Sequence, residues 1–383
     1  MSAAMPSVPY WRLSSFYCFY FALLGAWLPF WPLYLQAHNF NATDIGYLAG
    51  IIMGTKIFAP NLWGWLCRHQ RKPISAVRLG AFLACLCFAF IFLEQSFLNL
   101  ALVVASFSFF WNAILAQFEV ITLDHLSGET ERYSQIRVWG SLGFIAAVAG
   151  LGWGFDIYSV NYLPWVLMAL LLAIWFSSLL VAAPTQPQQA PQSAQPLLSI
   201  IKQPAVLAFL VCCFLQQLSH GPYYTFFSLF LEGKGYKNSF IGMMWSLGVL
   251  AEVLLFIVMY RLLHRFSLRH IMLGSIALSA LRWLLIAYWA DNTACLIIAQ
   301  CLHAASFGSF HAFAVEMVRR CFSGGHQGQG MALYSGVSFG AGGALGAVLS
   351  GWAWDISQQY TFVAAALVCV LAFVIGLKVR INP

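Results

Sequence analysis

The feature that most constrains this chain is a train of apolar runs, each about 20 residues long, recurring down nearly all of its 383 residues. Wound as a helix, a run of that length matches the hydrocarbon core of a bilayer. Lipid offers no partner to an unpaired backbone group, so a spanning segment must be a helix or a strand of a closed barrel. The alternating pattern of barrel strands is absent, which leaves helices. Composition agrees: 61% of residues are apolar, 8% are charged and the mean hydropathy is +0.78, far from the usage of a water-soluble fold. Length therefore counts spans. The reading places twelve, at 11–35, 44–67, 74–94, 97–124, 134–156, 162–182, 204–231, 239–263, 270–290, 293–318, 330–354 and 360–378.

An even number of spans puts both termini on one side. Fourteen basic residues, among them Arg68, Arg71, Lys72, Arg78, Arg132, Arg265, Arg269, Arg319, Arg320 and Arg380, lie on or near that side, against Lys234 and Lys237 on the other. The excess of Lys and Arg marks the side of the termini as cytoplasmic. The first apolar run is too long for a signal-peptide core and leads directly into further spans, so it is expected to be retained. The ten cysteines sit within apolar runs without ligand spacing and read as small hydrophobes rather than metal ligands or disulfides. Asn41-Ala42-Thr43 matches a glycosylation sequon, a pattern so short that chance accounts for it.

Between spans six and seven, Ala183-Pro184-Thr185-Gln186-Pro187 opens a Pro- and Gln-rich stretch that suits neither a regular helix nor lipid. It divides the chain into an N-terminal bundle over 1–182, a cytoplasmic linker over 183–203 and a C-terminal bundle over 204–383. The two bundles repeat. Gly25 corresponds to Gly221, Ile45-Gly46 to Ile241-Gly242 and Lys56 to Glu252, all at an offset of 196, and Gly152-Trp153-Gly154-Phe155-Asp156 corresponds to Gly351-Trp352-Ala353-Trp354-Asp355 at 199. Two parallel six-helix repeats form the layout of major facilitator transporters, whose site lies between the halves near mid-membrane. Span eleven carries Gly336, Gly340, Gly342, Gly343 and Gly346, and the Gly342 to Gly346 spacing suits close helix packing.

An ionisable side chain at mid-bilayer costs roughly 3 kcal/mol on insertion scales, so each one requires a partner or a wet cavity. Lys56, Arg137 and Arg282 are opposed within the spans by Glu119 and Glu252, a balance that favours an anionic ligand, or a neutral one if a proton is lost. Glu119 and Arg137 are equidistant from Gly128 in the turn joining spans four and five, and equal depth suits them to pair. His303 lies within span ten. His311, Gln216, Gln217, His220, Asn112 and Gln117 are secondary lining candidates, for which hydrogen bonds between helices are an equal explanation. Glu316, one turn from Arg319 and Arg320, reads better as an interfacial acid.

The stretch from Glu119 through Tyr133-Ser134-Gln135-Ile136-Arg137-Val138-Trp139-Gly140 resembles the span four to five region of lactose permease and its relatives. Leu302-His303-Ala304-Ala305-Ser306-Phe307-Gly308, with Gly328-Gln329-Gly330-Met331, is closer to the phenylpropionate-permease-like branch of the major facilitator superfamily. The resemblance spans essentially the whole chain. It implies an all-α protein of twelve transmembrane helices in two six-helix bundles, multi-pass in a bacterial inner membrane. In function it implies a permease, not an enzyme, working by alternating access without a cofactor or metal and drawing on the proton gradient. Glu119, Arg137, Lys56 and Arg282 become the substrate-binding candidates, and Glu252 and His303 the proton-coupling ones. Two positions depart from lactose permease: Ser306 stands where a proton-carrying Glu is found, and Gln300 replaces a Lys. The loop Gly64-Trp65-Leu66-Cys67-Arg68 lacks the acidic residue of the superfamily motif. Span five lacks the Gly-Pro element of drug antiporters, which favours uptake.

The leading expectation is proton-coupled uptake of a small organic acid such as an aromatic carboxylate, by a monomer that touches protons, substrate and lipid but no nucleic acid. A sugar or nucleoside symporter is the alternative within the same class. A membrane enzyme would need an acid, base or nucleophile constellation near the interface, and none stands out. A receptor would not need buried charges in both halves.

Overall fold

The computed structural model describes residues 8–70, 72–93, 96–126, 131–183, 197–322 and 326–379. Among them, twelve helices are long and apolar enough to cross a membrane, and there is no strand. In chain order the spans are Tyr10–Ala37, Ala42–Leu66, Pro73–Phe92, Phe97–Leu126, Arg132–Phe155, Val160–Leu179, Pro204–Gly233, Asn238–Arg265, Leu268–Trp289, Thr293–Cys321, Gln327–Ile356 and Gln358–Gly376. The twelve expected spans are therefore all present, with ends moved by a few residues. Arg71, Gly128, Arg380 and residues 184–196, which carry part of the orientation and linker expectations, lie outside the described residues. At the far end of the linker, Leu197–Ile201 forms a short helix.

Local chemistry sets the ends of several spans. Ser267, Asn292 and Ser357 cap spans nine, ten and twelve by accepting backbone N–H groups of the first turn. Spans three, six and seven begin with Pro in the first turn, where a missing N–H removes no helical bond.

Three spans are broken in ways that matter for the site. Span seven consists of helices Pro204–Ser219 and Gly221–Gly233 meeting at His220, because Pro222 cannot donate into the preceding turn. Span ten passes through a π-helical stretch at Ala304–Ser309 and span eleven through another at Gly336–Gly342. Such stretches reorient side chains and are frequent at functional sites. The break in span seven rests on span eleven: a β-carbon built on Gly342 would lie 2.5 Å from the Phe214 carbonyl oxygen, and one on Gly346 would lie 2.5 Å from that of Leu218. Both pairs are four residues apart, so two glycines on one helix receive two carbonyls on the other.

The chain divides into two compact units. One takes the described residues of Met1–Trp27, Ala59–Ala147 and Tyr162–Gln189, and the other takes Leu28–Phe58, Val148–Asn161 and Ala190–Pro383. Segments 28–58 and 148–161 thus group with the C-terminal spans, and backbone contact explains why. A β-carbon on Gly46 would meet the Ala347 carbonyl and the Gly351 Cα at 2.9 Å, and one on Gly242 would meet the Val148 carbonyl at 2.5 Å and the Gly152 Cα at 3.4 Å. Thr43 Oγ1 donates to Asp355 Oδ2 at 3.2 Å, and the Ser239 N–H donates to Asp156 Oδ1 at 3.3 Å. These are the repeated residues of the sequence. Gly46 with Gly351 and Gly242 with Gly152 are two copies of one helix crossing, both inside the second unit.

Candidate functional site

The first unit holds one polar cluster. Glu119 on span four accepts a hydrogen bond from the Tyr133 hydroxyl, and in the same neighbourhood the Tyr17 hydroxyl donates to Thr122 Oγ1 at 3.1 Å. Arg137 on span five lies over the Phe21 ring at 3.9 Å and the Tyr17 ring at 5.6 Å, a cation–π arrangement. Glu119 and Arg137 are near enough for their charges to interact, but they form no ion pair. The expected direct pairing is corrected here: equal depth brings the two helices' charges together, while the aromatic rings of span one and the Tyr133 hydroxyl stand as their immediate partners. Asn112, one turn and more away on span four, is buried.

Gly140 makes room for this arrangement. A β-carbon there would lie 2.6 Å from Arg137 Nη1 and 2.8 Å from Phe21 Cδ2. Both are side-chain rather than backbone atoms and can shift by rotamer change, so Gly140→Ala is expected to keep normal protein level while cutting transport about tenfold, because small displacements of a positioning group act strongly on rate. Normal uptake by that variant would remove Arg137 from substrate handling.

The second unit holds a second cluster, built around Arg282 on span nine. Its side chain is fully buried. Nε donates to the Ala299 carbonyl at 2.9 Å, Nη1 to His303 Nδ1 at 3.0 Å and Ser306 Oγ at 3.4 Å, and Nη2 to Gln300 Oε1 at 3.4 Å. The rings of Tyr223 and Trp283 lie 4.1 and 4.6 Å from the guanidinium carbon. No partner in this set is a carboxylate. Gln300 also accepts from the Tyr223 hydroxyl at 2.9 Å, and its Nε2 is buried without an acceptor.

The contact between Arg282 and His303 fixes a proton. A guanidinium only donates, so Nδ1 must accept, and a neutral ring then carries its hydrogen on Nε2. That nitrogen faces Glu252 of span eight at 3.7 Å from Oε2. The order is Arg282, His303, Glu252, in which the histidine separates the two charges. Ser306 offers Arg282 a neutral hydroxyl and no charge.

Below His303 on span ten, Phe307 is nearly parallel to it at 5.2 Å and His311 continues the column at 6.2 Å from Phe307. His311 Nδ1 lies 2.9 Å from the Tyr334 hydroxyl. Gln216 Nε2 donates to Ser279 Oγ at 2.6 Å and the Ser306 carbonyl at 2.8 Å, and His220 Nδ1 donates to the Gln216 carbonyl at 2.8 Å. Gln216, His220 and His311 therefore share one neighbourhood with Arg282 and His303. Lys56 is half-buried and joins neither cluster through a hydrogen bond or ion pair. Glu316 is held by Arg319 at 2.7 Å and Arg320 at 2.8 Å, the interfacial arrangement its spacing suggested. Tyr223 and Trp283 are contacts of Arg282 that the sequence did not single out, and Gln300, noted there only as a replacement for a Lys, joins them; nothing in local spacing places span-seven and span-ten residues around a span-nine side chain. Among the described residues no His, Cys, Asp and Glu group has the geometry to hold a metal.

Comparison with known proteins follows the same lines. Residues 10–364 match the MFS_1 like family. The chain is 29% identical over 378 residues to the "Probable 3-phenylpropionic acid transporter" of Escherichia coli (strain K12), covering 95% of this chain and 96% of that protein. It is 26% identical over 357 residues to the "Maltose permease" of Geobacillus stearothermophilus, covering 91% and 89%. Among solved structures, the nucleoside transporter NupG superposes with a TM-score of 0.82 at 20% identity, covering 97% of this chain and 99% of that one, a likeness of fold. Twelve spanning helices and a family match across nearly the whole chain make this protein a multi-pass membrane transporter belonging to the MFS_1 like family.

Proposed function

We propose that the protein takes up a small organic acid, with an aromatic carboxylate as the preferred class, by proton symport and alternating access across a bacterial inner membrane, its termini in the cytoplasm. One observation carries the reading: the fully buried guanidinium of Arg282 has only neutral hydrogen-bond partners. A buried charge without a counter-ion is strongly unfavourable, and a ligand carboxylate relieves it. The unpartnered Gln300 Nε2 is a second donor beside the guanidinium, and the Tyr223 and Trp283 rings give an aromatic ligand apolar surface. The similarity to a protein named as a 3-phenylpropionic acid transporter supports the same class.

Arg282 is expected to act through its fork of donors, which lysine does not reproduce. Arg282→Lys is expected to insert normally and to weaken phenylpropionate binding at least about tenfold, roughly 1.4 kcal/mol. Ligand-induced thermal stabilisation of the purified protein reads this directly. Unchanged affinity in that variant, or stabilisation of the wild type by maltose or a nucleoside and not by the acid, favours the neutral-substrate alternative. That second reading has its own support in the Glu119, Tyr133 and Tyr17 cluster, whose hydroxyls and carboxylate suit a polyhydroxylated ligand.

Coupling is proposed to run through Arg282, His303 and Glu252. While Arg282 donates to Nδ1, His303 has no lone pair for a second proton. A substrate carboxylate that draws the guanidinium away frees Nδ1, and the His303 and Glu252 pair gains a place for one. Proton and substrate then assist each other's binding, which is symport by linked equilibria.

A further inference from the structure

A small cavity lies beside Ser306, whose hydroxyl also accepts from Arg282, with room for about one water molecule. Its walls come from the break in span seven and from both π-helical stretches, Ala304–Ser309 and Gly336–Gly342. Three of the residues that line it carry buried polar atoms without partners: Gln216 Oε1, Gln217 Oε1 and His220 Nε2.

Two of these atoms are fixed as acceptors by their neighbours. Backbone carbonyls only accept, so the Gln216 nitrogen must be the atom facing the Ser306 carbonyl, which leaves its oxygen toward no donor. By the same rule His220 Nδ1 carries the hydrogen it gives to the Gln216 carbonyl, and Nε2 of the neutral ring holds a lone pair. Gln217 adds a third acceptor. Leaving a buried acceptor unsatisfied costs about 1–3 kcal/mol, so a wall of three acceptors around one oxygen-sized space selects an occupant that donates.

The rest of the lining combines Ser306, Ser338, His311 and Tyr334 with aromatic rings, Phe307 and Phe339 among them. Phe307 also lies parallel to His303, the immediate partner of Arg282, at 5.2 Å, and the His220 and His303 rings are 6.5 Å apart.

We propose that this cavity is a donor-selective subsite that receives the ring hydroxyl of a hydroxylated aromatic acid, while the acid's carboxylate engages Arg282 and its ring lies along Phe307. The assignment rests on the organic-acid reading and narrows it. The preferred substrate carries a hydrogen-bond donor at the end of the ring remote from the carboxylate, and an unsubstituted ring leaves the three acceptors to solvent.

The experiment measures binding of phenylpropionate, para-hydroxyphenylpropionate, meta-hydroxyphenylpropionate and para-methylphenylpropionate to the full-length purified protein by calorimetry. The better hydroxylated acid is expected to bind about tenfold tighter than the methyl compound, which fills the same space without donating. In Gln217→Leu and in His220→Asn, which keeps a donor toward the Gln216 carbonyl but removes the Nε2 acceptor, that ratio is expected to fall toward one. Two variants guard against misfolding of either. Equal affinity of the hydroxyl and methyl compounds in the wild type, with phenylpropionate still bound, overturns the subsite alone and assigns the cavity to water. An undiminished ratio in both variants also overturns it. Failure of all four acids to bind overturns the subsite together with the organic-acid reading.

Discussion

Reconstituted into liposomes, a Glu252→Gln carrier is expected to exchange substrate across the membrane but to lose all accumulation driven by an imposed pH gradient. The amide keeps the size of the side chain and its reach toward His303 Nε2, 3.7 Å away, and removes its ability to change charge. A symporter must neutralise a group in one half of its cycle, since moving a bare carboxylate through the low-dielectric interior is expensive. In the proposed mechanism, Glu252 and His303 share that proton once a substrate carboxylate has drawn Arg282 from Nδ1. The two readouts separate coupling from translocation. Exchange shows that binding and conformational cycling survive, and the accumulation ratio shows whether the proton still drives them. Full gradient-driven accumulation by Glu252→Gln would exclude this residue from the coupling step, and His303 would then have to carry the proton without it.

The second large effect is expected from Gly346→Val, on folding. A β-carbon at Gly346 would lie 2.5 Å from the Leu218 carbonyl oxygen and 3.0 Å from the Leu218 Cα, and the facing surface is backbone on both sides. No rotamer change relieves such a contact, unlike the one at Gly140. Spans seven and eleven must separate at the break that carries Gln216, Gln217 and His220. Overpacking of this kind costs typically about 1–3 kcal/mol, and rigid backbone neighbours place Gly346 at the upper end. Protein level and melting temperature are both expected to fall, with added substrate restoring little because the site itself is distorted. A variant with wild-type melting temperature would show that the two helices pack less closely than the contact implies. Gly143→Ala belongs to the same class, since its β-carbon meets the Cys18 backbone.

The glycine contacts also explain why the internal repeat survived in the sequence. Gly46 and Gly242, and Gly152 and Gly351, are constrained by backbone approaching backbone, a requirement that only the smallest residue meets. Asp156 and Asp355 are tied to the same crossings through Ser239 and Thr43. Lipid-facing positions between them carry no such constraint, which leaves the repeat most legible at the crossings.

What the chain's linear order determined by itself was the number of spans, their all-helical class and the identity of the charges they bury, because each is a local demand. An apolar run must satisfy its own backbone in lipid, and a charge within it must be accounted for wherever the helix goes. Arg282, Glu252 and His303 were visible on those grounds before any packing was known. Their partners were not. Tertiary structure alone decided that Arg137 rests on the rings of Phe21 and Tyr17 rather than directly on Glu119, and that Lys56 joins neither cluster. It alone put Tyr223, Gln300 and Ser306 around the guanidinium and placed the unpartnered acceptors of Gln216, Gln217 and His220 in one cavity. The reason is directional. Hydrophobicity and charge are summed along one helix, whereas a hydrogen bond or a ring contact depends on the rotation and offset of helices from distant parts of the chain, and here also on the π-helical turns and the Pro222 break that redirect them.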